Sequence, residues 1–357
     1  MSKIIISKIS FLILVVSFNA FASYEARQAG MSEERLQKIG PSLSKYVTQG
    51  RLPGLITAVA RKGKIVHFET QGFADLENEI PLKEDSLFRI YSMSKPITGV
   101  ALMILIEEGK VRLNDPVSIY IPEFASTKVM KVNEDGSIAN EKLNKPITIR
   151  DLATHTSGIA YSFTANKQLR EIYEENQLTP YFFIDNMTAV SDLDSGSFAT
   201  STKAFPDVCS FSSALASKAP LMHQPGAKYT YSMGMDVLGC VIERASGKTF
   251  DVFLKERIFD PLGMKDTSFE VSEDKAERFT SLYASPMGVR RLSPELSKSL
   301  GKERRLMALV DPMKTSPYLN KATLFDGGSG LVSSTKDYLT FTQMLVNGGV
   351  LGKTRIL

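Results

Sequence analysis

The stretch Phe88-Arg89-Ile90-Tyr91-Ser92-Met93-Ser94-Lys95-Pro96 places a serine three residues before a lysine at the start of an apolar segment. Residues three positions apart share one face of a helix, so the Lys95 amine can reach the Ser92 hydroxyl and take its proton. A helix N-terminus also offers a positive dipole end and free backbone N–H groups to a developing oxyanion. The pattern predicts nucleophilic catalysis at Ser92 with Lys95 as its base. The alternative is that Lys95 merely extends to solvent.

The composition is that of an ordinary globular protein. The chain has 357 residues, of which 43% are hydrophobic and 23% are charged. This is enough for one large domain or two lobes. The formal net charge of +4 is too small to indicate a nucleic-acid partner, because such proteins concentrate positive charge.

Residues 1–22 have the pattern of a secretory signal peptide. Lys3 and Lys8 form a positive n-region, residues 9–18 form an apolar h-region, and Ala20 and Ala22 frame a cleavage site. Because the apolar region is short for a transmembrane helix, we expect no stable membrane anchor after cleavage. The alternative is an uncleaved anchor. The sequence therefore predicts a periplasmic or secreted protein.

The chain contains two cysteines, Cys209 and Cys240, which export would allow to form a disulfide. Cys240 lies in an apolar helical pattern, which favours a buried free thiol, and a bridge is the alternative. The three histidines, His67, His155 and His223, are widely separated, and the sequence has no CxxC motif. We therefore predict no metal site and no cofactor.

Hydrophobic periodicity and turn signals predict secondary structure around the Ser92 motif. The predicted elements are a helix within 31–48, a hairpin over 54–71, a buried helix after Ser92 that Gly109 ends, a short helix over 148–158 with a capping box between Thr148 and Asp151, and helices over 249–259 and 335–347. The serine- and threonine-rich run 191–203 is predicted to be a long surface loop.

Several segments follow one another in the order found in one known family. They are residues 87–124, 148–158, 224–247, 261–269 and 327–333. This series closely resembles the beta-lactamase-related serine hydrolases, which include class C beta-lactamases, D-alanyl-D-alanine carboxypeptidases and class VIII esterases.

The resemblance implies a two-lobed α/β (α+β) fold of the beta-lactamase/transpeptidase type. Residues 23–357 are expected to form one domain, with an antiparallel sheet flanked by helices and a mostly helical lobe at about 110–260. Ser92 is expected at the junction of the two lobes, which is a usual place for a cleft.

The resemblance also implies a role for Tyr231, which matches a family tyrosine that relays protons to and from the leaving group. The alternative is an ordinary core tyrosine. Met233 departs from the family pattern, because beta-lactamases and carboxypeptidases have asparagine there. A thioether cannot replace the amide hydrogen bonds to a lactam or peptide, so this position favours the class VIII esterases. His155 lies in a segment that is usually structural in the family.

The predicted function is that of an exported serine hydrolase that forms an acyl-enzyme on a small-molecule substrate, with a carboxylic ester as the first candidate. The Ser92 N–H is expected to supply half of the oxyanion hole. One alternative is a beta-lactamase or a D-Ala-D-Ala carboxypeptidase, which would act on a lactam or a peptide. A second alternative is a non-catalytic penicillin-binding-like module, although such a module has no need of Ser92, Lys95 and Tyr231 together.

In the resembling families, further sheet strands with a third motif follow the segment that corresponds to 327–347. No such motif follows Gly349 here. We therefore expect the chain to be incomplete at its C-terminus, with C-terminal strands missing, and to be prone to aggregation and nearly inactive by itself.

Overall fold

The described part of the chain begins with helical segments that precede the first strands. The computed structural model describes residues 25–178, 205–284 and 307–357. The predicted signal peptide and the predicted loop at 191–203 lie outside these described residues. Helices α1 (Glu33–Leu36) and α2 (Ile39–Thr48) occupy the region where the sequence predicts a single helix. The Ser32 hydroxyl caps α1 by accepting a hydrogen bond from the Arg35 N–H at 3.4 Å.

The predicted hairpin is confirmed and forms most of an antiparallel sheet. Strand β1 (Gly54–Arg61) pairs antiparallel with β2 (Lys64–Asp75), with a register shift between Val59 and Ala60. Strand β3 (Ile80–Pro81) pairs with the end of β2, so the strand order is β1-β2-β3. Helix α2 packs against β1 and β2, and helix α9 (Thr335–Val346) packs against β1. Helices therefore flank the sheet, as the resemblance predicts.

The Ser92 motif forms a 3-10 turn (Tyr91–Met93) that leads directly into helix α3 (Ser94–Glu107). Most side chains of α3 are buried, as its apolar sequence predicts. Pro96 lies in the first turn of α3, where its missing N–H is not needed. Gly109, with a φ of +71°, follows the end of the helix as predicted.

A helical region follows α3. It contains the hairpin β5 (Val129–Val132) and β6 (Ile138–Glu141) and the helices α4 (Ile149–Ala153), α5 (Lys167–Glu175), α6 (Val208–Lys218), α7 (Gly234–Ser246) and α8 (Phe250–Leu254). Helix α7 packs against α3, α4, α6 and α8 and lies in the main apolar core. The predicted capping box between Thr148 and Asp151 is present at α4. The bounds of the helical lobe, at about 110–260, stay a prediction. Within the described ranges, no helix has the length and apolar character needed to cross a membrane.

Cys209 and Cys240 form a disulfide between α6 and α7. The prediction of a buried free thiol at Cys240 is therefore wrong. Both cysteines are buried, and the packing of the two helices brings their Cα atoms to 4.8 Å. An apolar helical pattern in the sequence indicates that a cysteine side chain is buried. It does not indicate which other side chain lies next to it.

Short strands connect the Ser92 region with the C-terminal part of the chain. Strand β4 (Leu87–Arg89) pairs antiparallel with β9 (Val332–Ser334). Strand β7 (Leu282–Ala284) pairs with β8 (Ala308–Asp311). After α9, β10 (Val350–Leu351) and β11 (Thr354–Arg355) form a small hairpin.

A buried arginine fixes β4 just before the Ser92 turn. The Arg89 Nε donates to Asp311 Oδ2 at 2.7 Å, and its Nη1 donates to the Thr280 carbonyl at 2.6 Å. The guanidinium also lies 4.1 Å from the centroid of the Phe279 ring. These contacts join three separate segments of the chain at the base of the Ser92 turn.

Candidate active site

The three predicted site residues lie together at the N-terminal end of α3. Ser92 is exposed in the 3-10 turn. Its Oγ lies 2.6 Å from Tyr231 Oη, and Lys95 Nζ donates to the same Oγ at 3.2 Å. One accessible hydroxyl is therefore in hydrogen-bond contact with two groups that can transfer a proton.

A backbone carbonyl and two aromatic rings hold Lys95 in a buried position. The residue is 8% exposed, which contradicts the alternative in which it extends to solvent. Its Nζ donates to the Gly328 carbonyl at 2.7 Å. The same nitrogen lies 5.2 Å from the ring centroid of Tyr161 and 4.7 Å from that of Tyr231. These contacts hold the Lys95 amine in a fixed position beside Ser92.

The carbonyl that binds this lysine belongs to a tight turn at residues 326–329. Asp326 Oδ1 accepts the N–H groups of Gly328 at 2.6 Å and Ser329 at 2.9 Å. A Cβ atom on Gly328 would lie 2.5 Å from Tyr161 Oη. Only glycine therefore allows the turn to approach this ring so closely.

Asp236 is a second carboxyl group beside the turn, and both Asp236 and Asp326 are fully buried. Tyr161 Oη donates to Asp236 Oδ2 at 3.3 Å. Burial, followed by the neighbouring Asp326, raises the pKa of Asp236 well above its usual value. The sequence analysis did not identify Asp236, Asp326 or Tyr161 as residues of the site. A signal was available, because Asp236 stands between Met235 and Val237 in a buried helix, where a carboxyl group needs a partner.

A buried histidine orients the segment that carries Tyr231. The Ser232 N–H donates to His155 Nδ1 at 3.2 Å, and Thr164 Oγ1 donates to the Tyr231 carbonyl at 2.8 Å. Burial, followed by the positive charge of Lys95, lowers the pKa of His155 to about 4. The neutral ring can therefore accept the Ser232 N–H near pH 7. This arrangement agrees with the structural role that the sequence predicts for His155.

Comparison with known proteins places this geometry in a family. Residues 41–356 match the family model described as Beta-lactamase. The chain belongs to the beta-lactamase family. The match extends from α2 to the final hairpin, so it includes the sheet, the helical region and the turn that binds Lys95.

Relatives of this beta-lactamase family member include an esterase. Esterase EstB from Burkholderia gladioli is 32% identical over 307 residues, which cover 85% of this chain and 68% of EstB. The solved structure of EstCE1, described as a hydrolase with promiscuous acyltransferase activity, has a TM-score of 0.65 at 22% identity. The match covers 90% of this chain and 75% of the EstCE1 chain. The solved structure of simvastatin synthase LovD from Aspergillus terreus has a TM-score of 0.64 at 23% identity. The match covers 88% of this chain and 68% of LovD. The fold is therefore the predicted beta-lactamase/transpeptidase-like one, and the chain is a serine hydrolase of this fold.

Met233 stands at the position where the resemblance places an asparagine in lactam-cleaving members of the beta-lactamase family. Its side chain is fully buried and packs in the main apolar core at the start of α7. The thioether therefore does not line the surface around Ser92.

Exposed apolar side chains occur next to Ser92 in the chain and beside the Tyr231 ring. Met93, the next residue, is 46% exposed, and Phe163 is 50% exposed. The Phe163 ring stacks on Tyr161 at 5.2 Å and lies 6.2 Å from the Tyr231 ring, centroid to centroid. An apolar acyl or alkyl group of a substrate could be buried against these side chains.

Proposed function

We propose that this protein hydrolyses carboxylic esters of small molecules through an acyl-enzyme on Ser92. One observation carries the proposal: Ser92 Oγ is within hydrogen-bond distance of both Lys95 Nζ and Tyr231 Oη. A nucleophile in contact with two proton-transfer groups is the arrangement that serine acylation requires.

In the first half of the reaction, Ser92 Oγ attacks the ester carbonyl carbon, and its proton passes to Lys95. The carbonyl electron pair moves onto oxygen, where the Ser92 N–H at the start of the helix donates a hydrogen bond. The tetrahedral intermediate then collapses, and the bond to the alcohol oxygen breaks. Tyr231 gives its phenolic proton to this leaving group and regains one from the Lys95 ammonium.

In the second half, a water molecule attacks the acyl-enzyme and loses a proton to the same base. The bond between the acyl carbon and Ser92 Oγ breaks, Oγ regains its proton, and a carboxylic acid leaves. The cycle returns every group to its starting protonation state, so it needs no cofactor.

Three observations support an ester over a lactam or a peptide. The buried Met233 offers no amide to a lactam or peptide group. The relative EstB is named an esterase. The exposed apolar side chains of Met93 and Phe163 suit the acyl portion of such a substrate.

We also propose that the protein is exported to the periplasm or secreted. The signal-peptide pattern of residues 1–22 supports this. The disulfide between Cys209 and Cys240 supports it as well, because disulfides persist mainly in oxidising compartments.

A fluorophosphonate probe tests the nucleophile. The probe should add one adduct to the wild-type protein, at the peptide that contains Ser92, and none to Ser92→Ala. Ser126→Ala, which removes an exposed serine hydroxyl elsewhere, is the matched control and should label like the wild type. A wild-type protein that stays unlabelled, or a Ser92→Ala variant that still labels and hydrolyses p-nitrophenyl acetate at the wild-type rate, would show that the proposal is wrong.

A further inference from the structure

Two buried carboxyl groups lie beside the backbone that holds the lysine. Asp236 and Asp326 are both 0% exposed, and they are in hydrogen-bonding contact with each other. Gly328 lies against both: its N–H binds Asp326 Oδ1 at 2.6 Å, and a Cβ on it would lie 2.7 Å from Asp236 Oδ2. Two ionised carboxylates in such contact repel strongly, so the pair requires a proton.

The two carboxyl groups receive unequal numbers of hydrogen bonds. Asp326 accepts the N–H groups of Gly328 and Ser329, and its second oxygen accepts the Ser329 hydroxyl. Asp236 Oδ2 accepts a long bond from Tyr161, and Asp236 Oδ1 is buried without a donor among the described residues. Hydrogen bonds to a carboxylate stabilise its ionised form. Asp326 accepts three such bonds, whereas Asp236 accepts one side-chain bond among the described residues.

We infer that Asp236 carries the proton of this pair and donates it from Oδ1 to an ionised Asp326, which thereby fixes the turn that positions Lys95. This inference rests on the proposed role of Lys95 as the base for Ser92. It gives the otherwise unpartnered Oδ1 a hydrogen-bond partner. It also avoids placing two negative charges side by side in the protein interior.

The groups around the pair are consistent with this assignment. Asp236 faces Asp326, Lys95 and Tyr161, and Asp326 also lies near the phenol of Tyr318. Both phenols keep their protons, since burial, followed by the nearby ionisable groups, raises the pKa of each well above its usual value. Burial and then Asp326 raise the pKa of Asp236, and the opposing effects of Lys95 and a backbone N–H are smaller.

The pair acts on the reaction through Gly328. Asp326 holds the Gly328 N–H, and the Gly328 carbonyl receives Lys95 Nζ at 2.7 Å. If the turn relaxes, Lys95 loses the contact that directs it towards Ser92. Asp236 and Asp326 are therefore positioning residues, and neither touches the substrate.

Amide substitutions distinguish the two carboxyl groups. Asp236→Asn keeps a neutral donor towards Asp326, so it should lower kcat less than tenfold. Asp326→Asn removes the charge and replaces one of its two accepting oxygens with an NH2 group, which cannot accept a hydrogen bond as Oδ2 does from the Ser329 hydroxyl. It should lower kcat by about 10²-fold, as expected for a displaced catalytic group, while KM changes little. Asp135→Asn, in the exposed turn between β5 and β6, is the matched control. An equal loss in both variants, or a larger loss in Asp236→Asn, would overturn the assignment.

Infrared spectroscopy tests whether the pair holds a proton even if Asp326→Asn does not fold. The difference spectrum of wild type minus Asp236→Asn at neutral pH should contain the carbonyl stretch of a protonated carboxylic acid. A spectrum without this band would refute the inference. Fluorophosphonate labelling of Ser92 reports separately on the proposed function, so the failure of one proposal can be told from the failure of the other.

Discussion

The Lys95 amine lies closer to the carbonyl oxygen of Gly328, at 2.7 Å, than to the hydroxyl oxygen of Ser92, at 3.2 Å. A carbonyl can only accept, so it always takes an N–H from the lysine. When the amine is neutral, this contact directs one N–H away from Ser92 and leaves the lone pair free to turn towards it. The turn at 326–329 therefore orients the proposed base as well as holding it.

Lys95→Ala and Tyr231→Phe should each lower kcat by about 10² to 10⁴, the usual contribution of a positioned proton-transfer group. Both variants should retain the wild-type thermal midpoint to within a few degrees. Steady-state hydrolysis of p-nitrophenyl acetate measures the effect, and Lys142→Ala, at an exposed lysine, is the control. Wild-type turnover in either variant would remove that residue from the mechanism.

Short-chain p-nitrophenyl esters should be hydrolysed with a higher kcat/KM than nitrocefin or a D-Ala-D-Ala peptide. The reason is that the buried Met233 offers no amide hydrogen bond to a lactam or peptide group, a loss of about 0.5 to 1.5 kcal/mol. Measuring kcat/KM for the three substrates under the same conditions tests this preference. A preference for nitrocefin would reject the ester assignment and leave the nucleophile untouched.

Met233→Asn should not create a lactamase, because the new amide would be buried in an apolar core. We expect it to lower the free energy of unfolding by about 1 to 3 kcal/mol, measured by urea denaturation. Met233→Leu, which conserves volume and polarity, should cost less than about 1.5 kcal/mol. A gain of nitrocefin hydrolysis in a stable Met233→Asn protein would show that the side chain reaches the cleft.

The free energy of unfolding should fall as the pH is lowered from about 6.5 to about 4, in part because of His155. The native pKa of about 4 lies below the usual value of 6.5, so the unfolded chain takes up the proton first. The full effect of this shift is about 3 kcal/mol. His155→Gln should flatten the dependence in this window, and His223→Gln is the control. An unchanged slope in His155→Gln would assign the dependence to other groups.

Protein purified without reductant should contain no free thiol after denaturation, because Cys209 and Cys240 are joined. The bridge closes a loop with a sequence separation of 31 residues, for which the chain-entropy estimate is about 3 to 4 kcal/mol of stability. In urea denaturation, the double variant Cys209→Ser, Cys240→Ser should have a free energy of unfolding that is lower by this amount. Two thiols per chain in a thiol titration would contradict the bridge.

The sequence predicts local features of this protein well. The spacing of Ser92 and Lys95, the hairpin of β1 and β2 and the capping box of α4 depend on residues close together in the chain, and the structure confirms the elements. Tyr231 is not local to Ser92, and only the resemblance to a family connects the two in advance.

Features that depend on tertiary packing could not be predicted in this way. Helices α5 and α6 lie in a region whose composition gave no clear pattern, and β8 becomes a strand by pairing with β7. The disulfide and the pair of Asp236 and Asp326 arise where distant segments meet. The pattern of buried residues in one segment does not identify the distant segment against which that segment packs.

The proposed site also predicts when activity appears during refolding. Ser92 and Tyr231 are separated by 139 positions, and Lys95 and Gly328 by 233. Contacts between residues so far apart in the sequence form late in folding, because the chain between them must first close into a loop. Far-ultraviolet circular dichroism should therefore recover before ester hydrolysis does, and enzymatic activity would serve as a reporter of the last tertiary contacts to form.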